Sequence, residues 1–400
     1  MKLADRIAIY GSIEEYRKRP LIVYATSTRE GVGAILASDA VRYLIDQVDS
    51  IKDSKSVDVL IHSSGGDALA AWKLMSILRE RFKNVAVLVP FMAFSAATIF
   101  ALGADEIVMH PHASLGPIDP QIQVKDRSFS YEDVGAFLRF LEEEAGFTEQ
   151  THLSTLVDRI FAAVDPLVIG AAKRASELSS SVGERLLKMH MGDSVGRDAA
   201  HQIAENLNKS FFAHGDAVSR TRARELQLKI GKDDKELESL IWQAYLSLES
   251  YMLLKEPFHP MLHYLSDETA RASLKPMSAL RIPPNTPPEL VQQLWNAMAQ
   301  QALQALQSDA PRVQFDNINA LIESPRLAFE HYTRGEISAF RVPGGDLKVE
   351  GLNTSLGWRG CDISQELVVS AVQEVDSGSQ QSPISNSNPT SLAAGEGHET

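Results

Sequence analysis

Two consecutive stretches of the same design constrain this 400-residue chain more than anything else in it. In the first, Val57, Val59 and Ile61 alternate as a buried strand does, turn residues follow, and ALAAWKLMSILRERF reads as a helix. In the second, Val85, Val87 and Val89 form the strand, Pro90 marks its end, and Ala93 to Leu102 is rich in small helix formers. Strand and helix alternating in this way specify an α/β architecture. The span from Val85 to Ala104 is also uncharged and long enough to suggest a membrane helix. Pro90 near its middle and the valine alternation before it favour the buried strand, turn and helix instead.

Each corner carries its own chemistry. At the first, Gly65 and Gly66 let the main chain come close to a ligand, because glycine tolerates backbone angles closed to other residues. Free N–H groups at a helix start attract negative charge, which is how an oxyanion hole can be built. The second corner presents Ser95 in the first turn of a helix, with the Ala96 N–H beside it. The mechanics are those of a nucleophile elbow, although the GxSxG signature is absent. Taken alone, Ser95 reads as a helix cap; it is the pairing of the two corners that points to chemistry.

The two corners together, SSGGDALAAWKLMSIL and AFSAATIFALGADEIVMHPHASLGPIDPQ, resemble the serine dehydrogenase proteinase family, a branch of the ClpP/crotonase superfamily related to signal peptide peptidase A-type proteases. A third segment, FFAHGDAVSRTRARELQLKI, is similar to the family's short His-Gly segment, and the resemblance covers roughly two-thirds of the chain. It implies a ClpP/crotonase-like spiral of repeated β-β-α units and an ATP-independent serine endopeptidase acting through an acyl-enzyme on Ser95. It further implies an oxyanion hole at Gly66 and Ala96, and a triad in the order Ser95, Asp119, His214. In the signal peptide peptidase type a lysine is the base, and Lys173 in IGAAKRASELSS is the rival to His214. Each residue also has a plainer reading: Asp119 before Pro120 as a turn former, His214 as a loop residue, Lys173 as a solvated lysine. Asp216 is a helix-cap candidate that could be mistaken for the acid. Relatives assemble as trimers or stacked rings, so a homo-oligomer acting on peptides or unfolded protein is expected. Crotonase-like acyl-CoA processing and an inactive scaffold are the alternatives; crotonases usually carry glycines where this chain has AFSAA.

Composition narrows the field. With 52 acidic against 39 basic residues the net charge is −13, which argues against nucleic acid and anionic membrane surfaces as partners. The single cysteine, Cys361, cannot form an internal disulfide, and a reducing cytoplasmic setting is the simplest fit. The N-terminus lacks the apolar core and cleavage site of a signal peptide. His62, His110 and His112 come near the corners, but no HExxH or CxxC pattern accompanies them, so neither metal nor cofactor is expected. There is no GxGxxG fingerprint and no GxxxxGK[ST] loop.

Along the rest of the chain, Leu21 to Thr26 reads as a strand, Asp39 to Val48 as a helix with Ser38 as its cap, and Glu106 to Met109 as a short strand. Tyr131 to Ala145 and His152 to Ala163 read as amphipathic helices over the site, and Asp165 to Met191 as one long helix with Pro166 in its first turn. Leu290 to Leu306 is a further helix, and Ile337 to Val342 with Leu347 to Leu352 a β-hairpin. The expected division is a protease domain over 1–275, a smaller α+β C-terminal region over 276–376, and a disordered tail over 377–400.

Overall fold

In a computed structural model of the chain, residues 2–124, 127–146, 154, 157–159, 161, 165–191, 194–209, 217–274, 281–341 and 346–363 are described. The expected disordered tail and the expected helix ends at 152 and 163 lie outside them. The elements follow as α1 (Leu3–Arg17), β1 (Leu21–Thr26), α2 (Val41–Ser50), β2 (Ser56–His62), α3 (Ala68–Arg81), β3 (Asn84–Val89), β4 (Met92–Ala93), α4 (Ala96–Leu102), β5 (Glu106–Met109) and β6 (Ser114–Leu115). Then come β7 (Ile122–Val124), β8 (Arg127–Phe129), α5 (Tyr131–Arg139) with a π-helical turn Phe140–Glu144, α6 (Pro166–Lys188), α7 (Ser194–Lys209), β9 (Val218–Ser219), α8 (Arg220–Glu225) and α9 (Lys235–Tyr251). The chain closes with α10 (Pro260–Ser266), α11 (Glu268–Ser273), α12 (Pro288–Asp309), β10 (Val313–Glu323), β11 (Ala328–Arg341) and β12 (Leu347–Cys361).

The α/β class holds. The central sheet runs β12-β11-β10-β1-β2-β3-β5, parallel from β1 through β5 and antiparallel from β1 out to β12. A smaller sheet, β4-β6-β9, stands beside it, and a bridge from Ser63 to Ala93 extends it towards the end of β2. Each turn of the chain thus lays one strand in the large sheet, one short strand or bridge in the small sheet, and then returns, which is the β-β-α spiral. The parallel strands are buried on both faces, as continuous runs of Val, Ile and Leu require. Val57, Val59, Ile61, Val85 and Val87 pack under α3 and α4, while Leu60, Leu88 and Val108 pack under α1 and α9.

Several expectations shift in detail. Ser38 is not a side-chain cap; it lies in a 3-10 turn, Ser38–Ala40, that leads into α2. The span from Val85 to Ala104 divides into β3, β4 and α4, and no described helix is long and apolar enough to cross a membrane. Strands from beyond residue 276 join the main sheet through β10, which pairs with β1 from Val23↔Glu323 to Thr26↔Ala320. β10 alternates between more and less exposed residues over its first part and is continuously buried at its end, where it meets β1.

That join is sealed by charge. Arg6 donates from Nε to Glu323 Oε2 at 3.0 Å and from a terminal nitrogen to Oε1 at 2.6 Å, and the Tyr10 hydroxyl donates to Oε2 at 2.8 Å. Arg6 and Glu323 are about 1% and 0% exposed, so neither can fall back on water. Glu323 raises the Arg6 and Tyr10 pKa values, outweighing the effect of burial on the arginine and adding to it on the tyrosine.

Candidate active site

The site is built where the ends of β2 and β3 meet. Ser63 N–H donates to the Met92 carbonyl at 3.1 Å and Phe94 N–H returns a bond to the Ser63 carbonyl at 3.0 Å, so the two corners are stitched together by main chain. The Ser63 hydroxyl accepts from Thr26 at 2.7 Å and from the Gly65 N–H at 3.1 Å, setting the turn that follows. On the other side the Thr98 hydroxyl donates towards the Ala93 and Gly116 carbonyls, and Gly116 N–H donates to it at 3.0 Å.

Both glycines are required by space as well as by angle. Gly65 has φ +112°, and a Cβ there would come within 2.6 Å of Ser95 Cβ and 2.7 Å of the Phe94 carbonyl oxygen. Gly66 has φ +153°, and a Cβ there would meet the Leu36 carbonyl oxygen at 2.2 Å. Leu36 N–H donates to the Gly65 carbonyl at 2.7 Å and its own carbonyl accepts from Asp67 N–H at 2.9 Å, forming a parallel bridge with Gly66. In such a bridge the central residue turns its own N–H to the opposite side. That side is a cleft of about 380 Å³ which Gly65, Gly66, Ser95 and Ala96 line. α3 opens from the same corner, capped by the Asp67 carboxylate accepting from Leu69 N–H at 2.8 Å.

Ser95 sits immediately before α4 with φ +51° and ψ −119°, a conformation that L-residues rarely adopt. Its side chain makes no capping bond, and among the described residues its hydroxyl has no hydrogen-bond partner. A serine placed to cap would take an extended backbone and bond the N–H of the second or third helical residue. Here the backbone is turned the other way and the hydroxyl is left for the cleft. Such strain, of about 1–3 kcal/mol, persists only where surrounding structure holds it.

The remaining sequence candidates fall in different places. Asp119 is buried, and Gln121 Nε2 donates to its Oδ2 at 2.7 Å. Its strap is anchored by Ile118 N–H donating to the Leu207 carbonyl at 3.0 Å, and the next two residues, Pro120 and Gln121, line the cleft. His214 and Asp216 lie outside the described residues; the cap of α8 is Ser219. Lys173 is about 55% exposed, sits 3.8 Å from Glu177 and lines a different cavity. The face of α6 turned to Ser95 carries Ala175, Leu178 and Ser179. The structure therefore brings Ser95 to Gly65, Gly66 and Ala96, and does not bring Lys173 to them.

The histidines near the corners have ring neighbours. His62 is fully buried, 3.2 Å from the Thr28 hydroxyl and packed against Tyr245, and burial pushes its pKa down to about 4. His110 stacks on Trp242 at 4.7 Å with His112 edge-on at the same distance. A larger cavity, about 650 Å³, lies elsewhere, between the Gly31–Gly33 loop, α10 and the strands β10–β12. It holds no strained nucleophile, and the smaller cleft at Ser95 is the chemically distinctive one. Sequence reading passed over Ser63, Gln121 and Leu36 as parts of this site. The repeated serines of HSSGG were the one local signal for Ser63; Leu36 had none, since its role is a tertiary bridge.

Comparison with known proteins agrees with the resemblance read from the corners. Residues 35–132 match the family described as ClpP-like SDH-type serine proteinase, a span that holds both glycines, Ser95 and Asp119. Two uncharacterized proteins of Methanocaldococcus jannaschii are 28% identical over 174 residues and 26% identical over 191 residues. Those matches cover 44% and 48% of this chain, which itself spans only 51% and 59% of the relatives' lengths. Among solved structures, a mutant of the 1510-N membrane-bound stomatin-specific protease shares 14% identity at a TM-score of 0.34, covering 56% of this chain and 84% of that one. ClpP1 from Listeria monocytogenes shares 15% identity at a TM-score of 0.29, covering 58% and 99%.

Proposed function

We propose that this chain is a serine peptidase in which the Ser95 hydroxyl attacks a peptide carbonyl, forming an acyl-enzyme that water then hydrolyses. The observation that carries the reading is Ser95 itself: a strained residue at a helix start, its hydroxyl without a hydrogen-bond partner among the described residues, beside the diglycine turn. As the hydroxyl oxygen bonds to the carbonyl carbon, its proton passes to a base and the carbonyl oxygen gathers negative charge; the C–N bond then breaks, the amine leaves with that proton, and the carbonyl re-forms as the ester on Ser95. The Gly66 and Ala96 N–H groups are the donors proposed to receive that charge; among the described residues neither is seen to donate to a backbone carbonyl. Fixed donors of this kind are worth about 3–4 kcal/mol of barrier each, because they need no reorganisation during the reaction.

For the base we propose His214, oriented by Asp119. The buried position of Asp119, beside a strap that lines the cleft, supports it, and the placement of Lys173 in another cavity leaves the lysine route without geometric support. Endopeptidase activity on short or unfolded peptides without ATP, assembly as a homo-oligomer and a cytoplasmic location complete the proposal. Light scattering that gives only monomer would count against the assembly. The decisive test of the chemistry is labelling with a fluorophosphonate probe. The unaltered protein should label and Ser95→Ala should not; equal labelling of both would refute the assignment.

A further inference from the structure

The cavity of about 650 Å³ between the loop at residues 31–33, α10 and the C-terminal strands has one face of the sheet as its floor. Phe315 and Asn317 alternate along β10, and on β11 Thr333 stands opposite Asn317 and Ile337 opposite Val313. Phe258, whose ring lies 5.2 Å from that of Phe315, adds apolar surface together with Met261 of α10. Among the described residues that line the cavity, only His259 carries an ionisable side chain. An ion entering it would shed water without gaining a counter-charge, so the occupant must be uncharged. The volume falls within the range of about 300–1,000 Å³ found for sites that bury a whole ligand.

Two amide side chains lining the cavity are each held by one end. Asn317 and Asn319 are 6% and 5% exposed. Arg29 donates from a guanidinium nitrogen to Asn317 Oδ1 at 2.8 Å, and because arginine can only donate, this bond fixes which amide atom is oxygen. Asn317 Nδ2 has no hydrogen-bond partner among the described residues, and it is not one of the fully enclosed unpartnered atoms of the fold, so it keeps contact with open space. Asn319 places its Nδ2 2.6 Å from the Thr333 hydroxyl and 3.1 Å from His331 Nδ1, which leaves its Oδ1 in the same condition. A donor and an acceptor two residues apart on one strand complement the carbonyl and N–H groups of a peptide.

The chain itself joins this cavity to the cleft at Ser95. Gly33 lines the cavity, and Ile35, two residues on, lines the cleft and is 62% exposed. Val32 N–H donates to the Arg29 carbonyl, and Leu36 is bonded to Gly65 and Asp67. Between them Gly33, Ala34 and Ile35 make no main-chain hydrogen bond among the described residues. Main chain with unpaired N–H and C=O groups is a template on which a ligand's own main chain can pair. Room is present as well: a Cβ at Gly33, or at Gly351 on β12, would meet nothing within 4 Å.

We propose that the cavity is a distal subsite for an uncharged segment of a polypeptide substrate, taking an aromatic or large aliphatic side chain while the substrate main chain follows residues 33–35 into the cleft at Ser95. The inference rests on the peptidase reading and adds a substrate class to it. Extended chains advance by about 3.3 Å per residue, so a substrate lying along residues 33–35 repeats their two-residue offset. The side chain seated in the cavity therefore lies two or more residues from the scissile bond.

The test uses the full chain and internally quenched peptides in which one phenylalanine is walked through a neutral background, with alanine at the same position as reference. The ratio of kcat/KM for phenylalanine over alanine should peak at about tenfold, at a position two or more residues from the cleaved bond. Glutamate or lysine at that position should bring the ratio to one or below. Gly351→Phe, which fills the cavity from a position with room for a side chain, should flatten the peak and leave turnover of the alanine peptide unchanged. Met261→Trp fills it from α10 and gives the same reading should the first variant not fold. A flat walk, a peak only beside the cleaved bond, or a peak that both variants leave in place would overturn the subsite. Fluorescence polarisation of the same peptides, dye-labelled, on Ser95→Ala separates the two ideas. Tighter binding of the phenylalanine peptide, lost in the double variant with Gly351→Phe, together with no turnover by the unaltered protein, would remove the peptidase reading and keep the polypeptide site.

Discussion

Glu323, buried at a sheet join, and Ser95, half-buried at the edge of a cleft, are treated in opposite ways. Glu323 has its oxygens occupied by Arg6 and Tyr10, and it fastens the C-terminal strands to the N-terminal helix. Ser95 sits in a strained backbone, and among the described residues its hydroxyl has no hydrogen-bond partner. The first arrangement is what stability asks of a buried charge. The second makes sense only if a reacting group is to occupy the gap, because local bonding could easily have used that hydroxyl as a helix cap.

The contrast can be broken by substitution. Ser95→Ala should lower peptide turnover by about 10³-fold or more while leaving the melting temperature nearly unchanged, as measured by kinetics and calorimetry on the same sample. If instead it melts well below the parent, the serine has a structural duty. Arg6→Met should show the opposite pattern, costing about 3–5 kcal/mol of stability by stranding Glu323, with fluorophosphonate labelling of the folded fraction preserved. Denaturant titration measures the first and gel fluorescence the second.

Gly65→Ala sits between these extremes. The added Cβ would press on Ser95 at 2.6 Å, so turnover should fall about 100-fold with far-ultraviolet circular dichroism intact. Retention of full activity would mean the diglycine turn is not part of the site. The last effect concerns pH. His62 is neutral in the fold, with a pKa near 4 against about 6.5 in the unfolded chain, so the unfolded state takes up the proton first as pH falls. Stability should be greatest above about pH 6.5 and decline towards pH 4 by about 3 kcal/mol, and His62→Gln should flatten that limb. His110 and His190 are lowered by burial too, so the flattening will be incomplete.

The strands at β1, β2, β3 and β5 were legible because buried parallel strands show themselves as runs of branched aliphatic residues bounded by turn formers. α6 was legible for a related reason: Pro166 marks its start and its apolar positions repeat at helical spacing. α1 was not, since its N-terminal stretch reads as charge alternating with apolar residues. Its buried Arg6 is explained only by a carboxylate 317 positions away. Within the site, Gly65, Gly66 and Ser95 announced themselves by residue type. The position of Lys173 could not be read, because a periodic helix gives the faces but not which cavity each face meets.

The strands and helices that flank the two corners, and the residue types at their tips, follow from the amino-acid sequence alone, because they depend on interactions between near neighbours: alternation, turn chemistry and glycine's freedom. Which side of Gly66 is open, that Ser95 does not cap its helix, and that Lys173 lines a different cavity were decided by tertiary structure. Those facts depend on bonds from Leu36, Met92 and Ser63 and on the packing of α6, contacts between distant parts of the chain that no local pattern encodes.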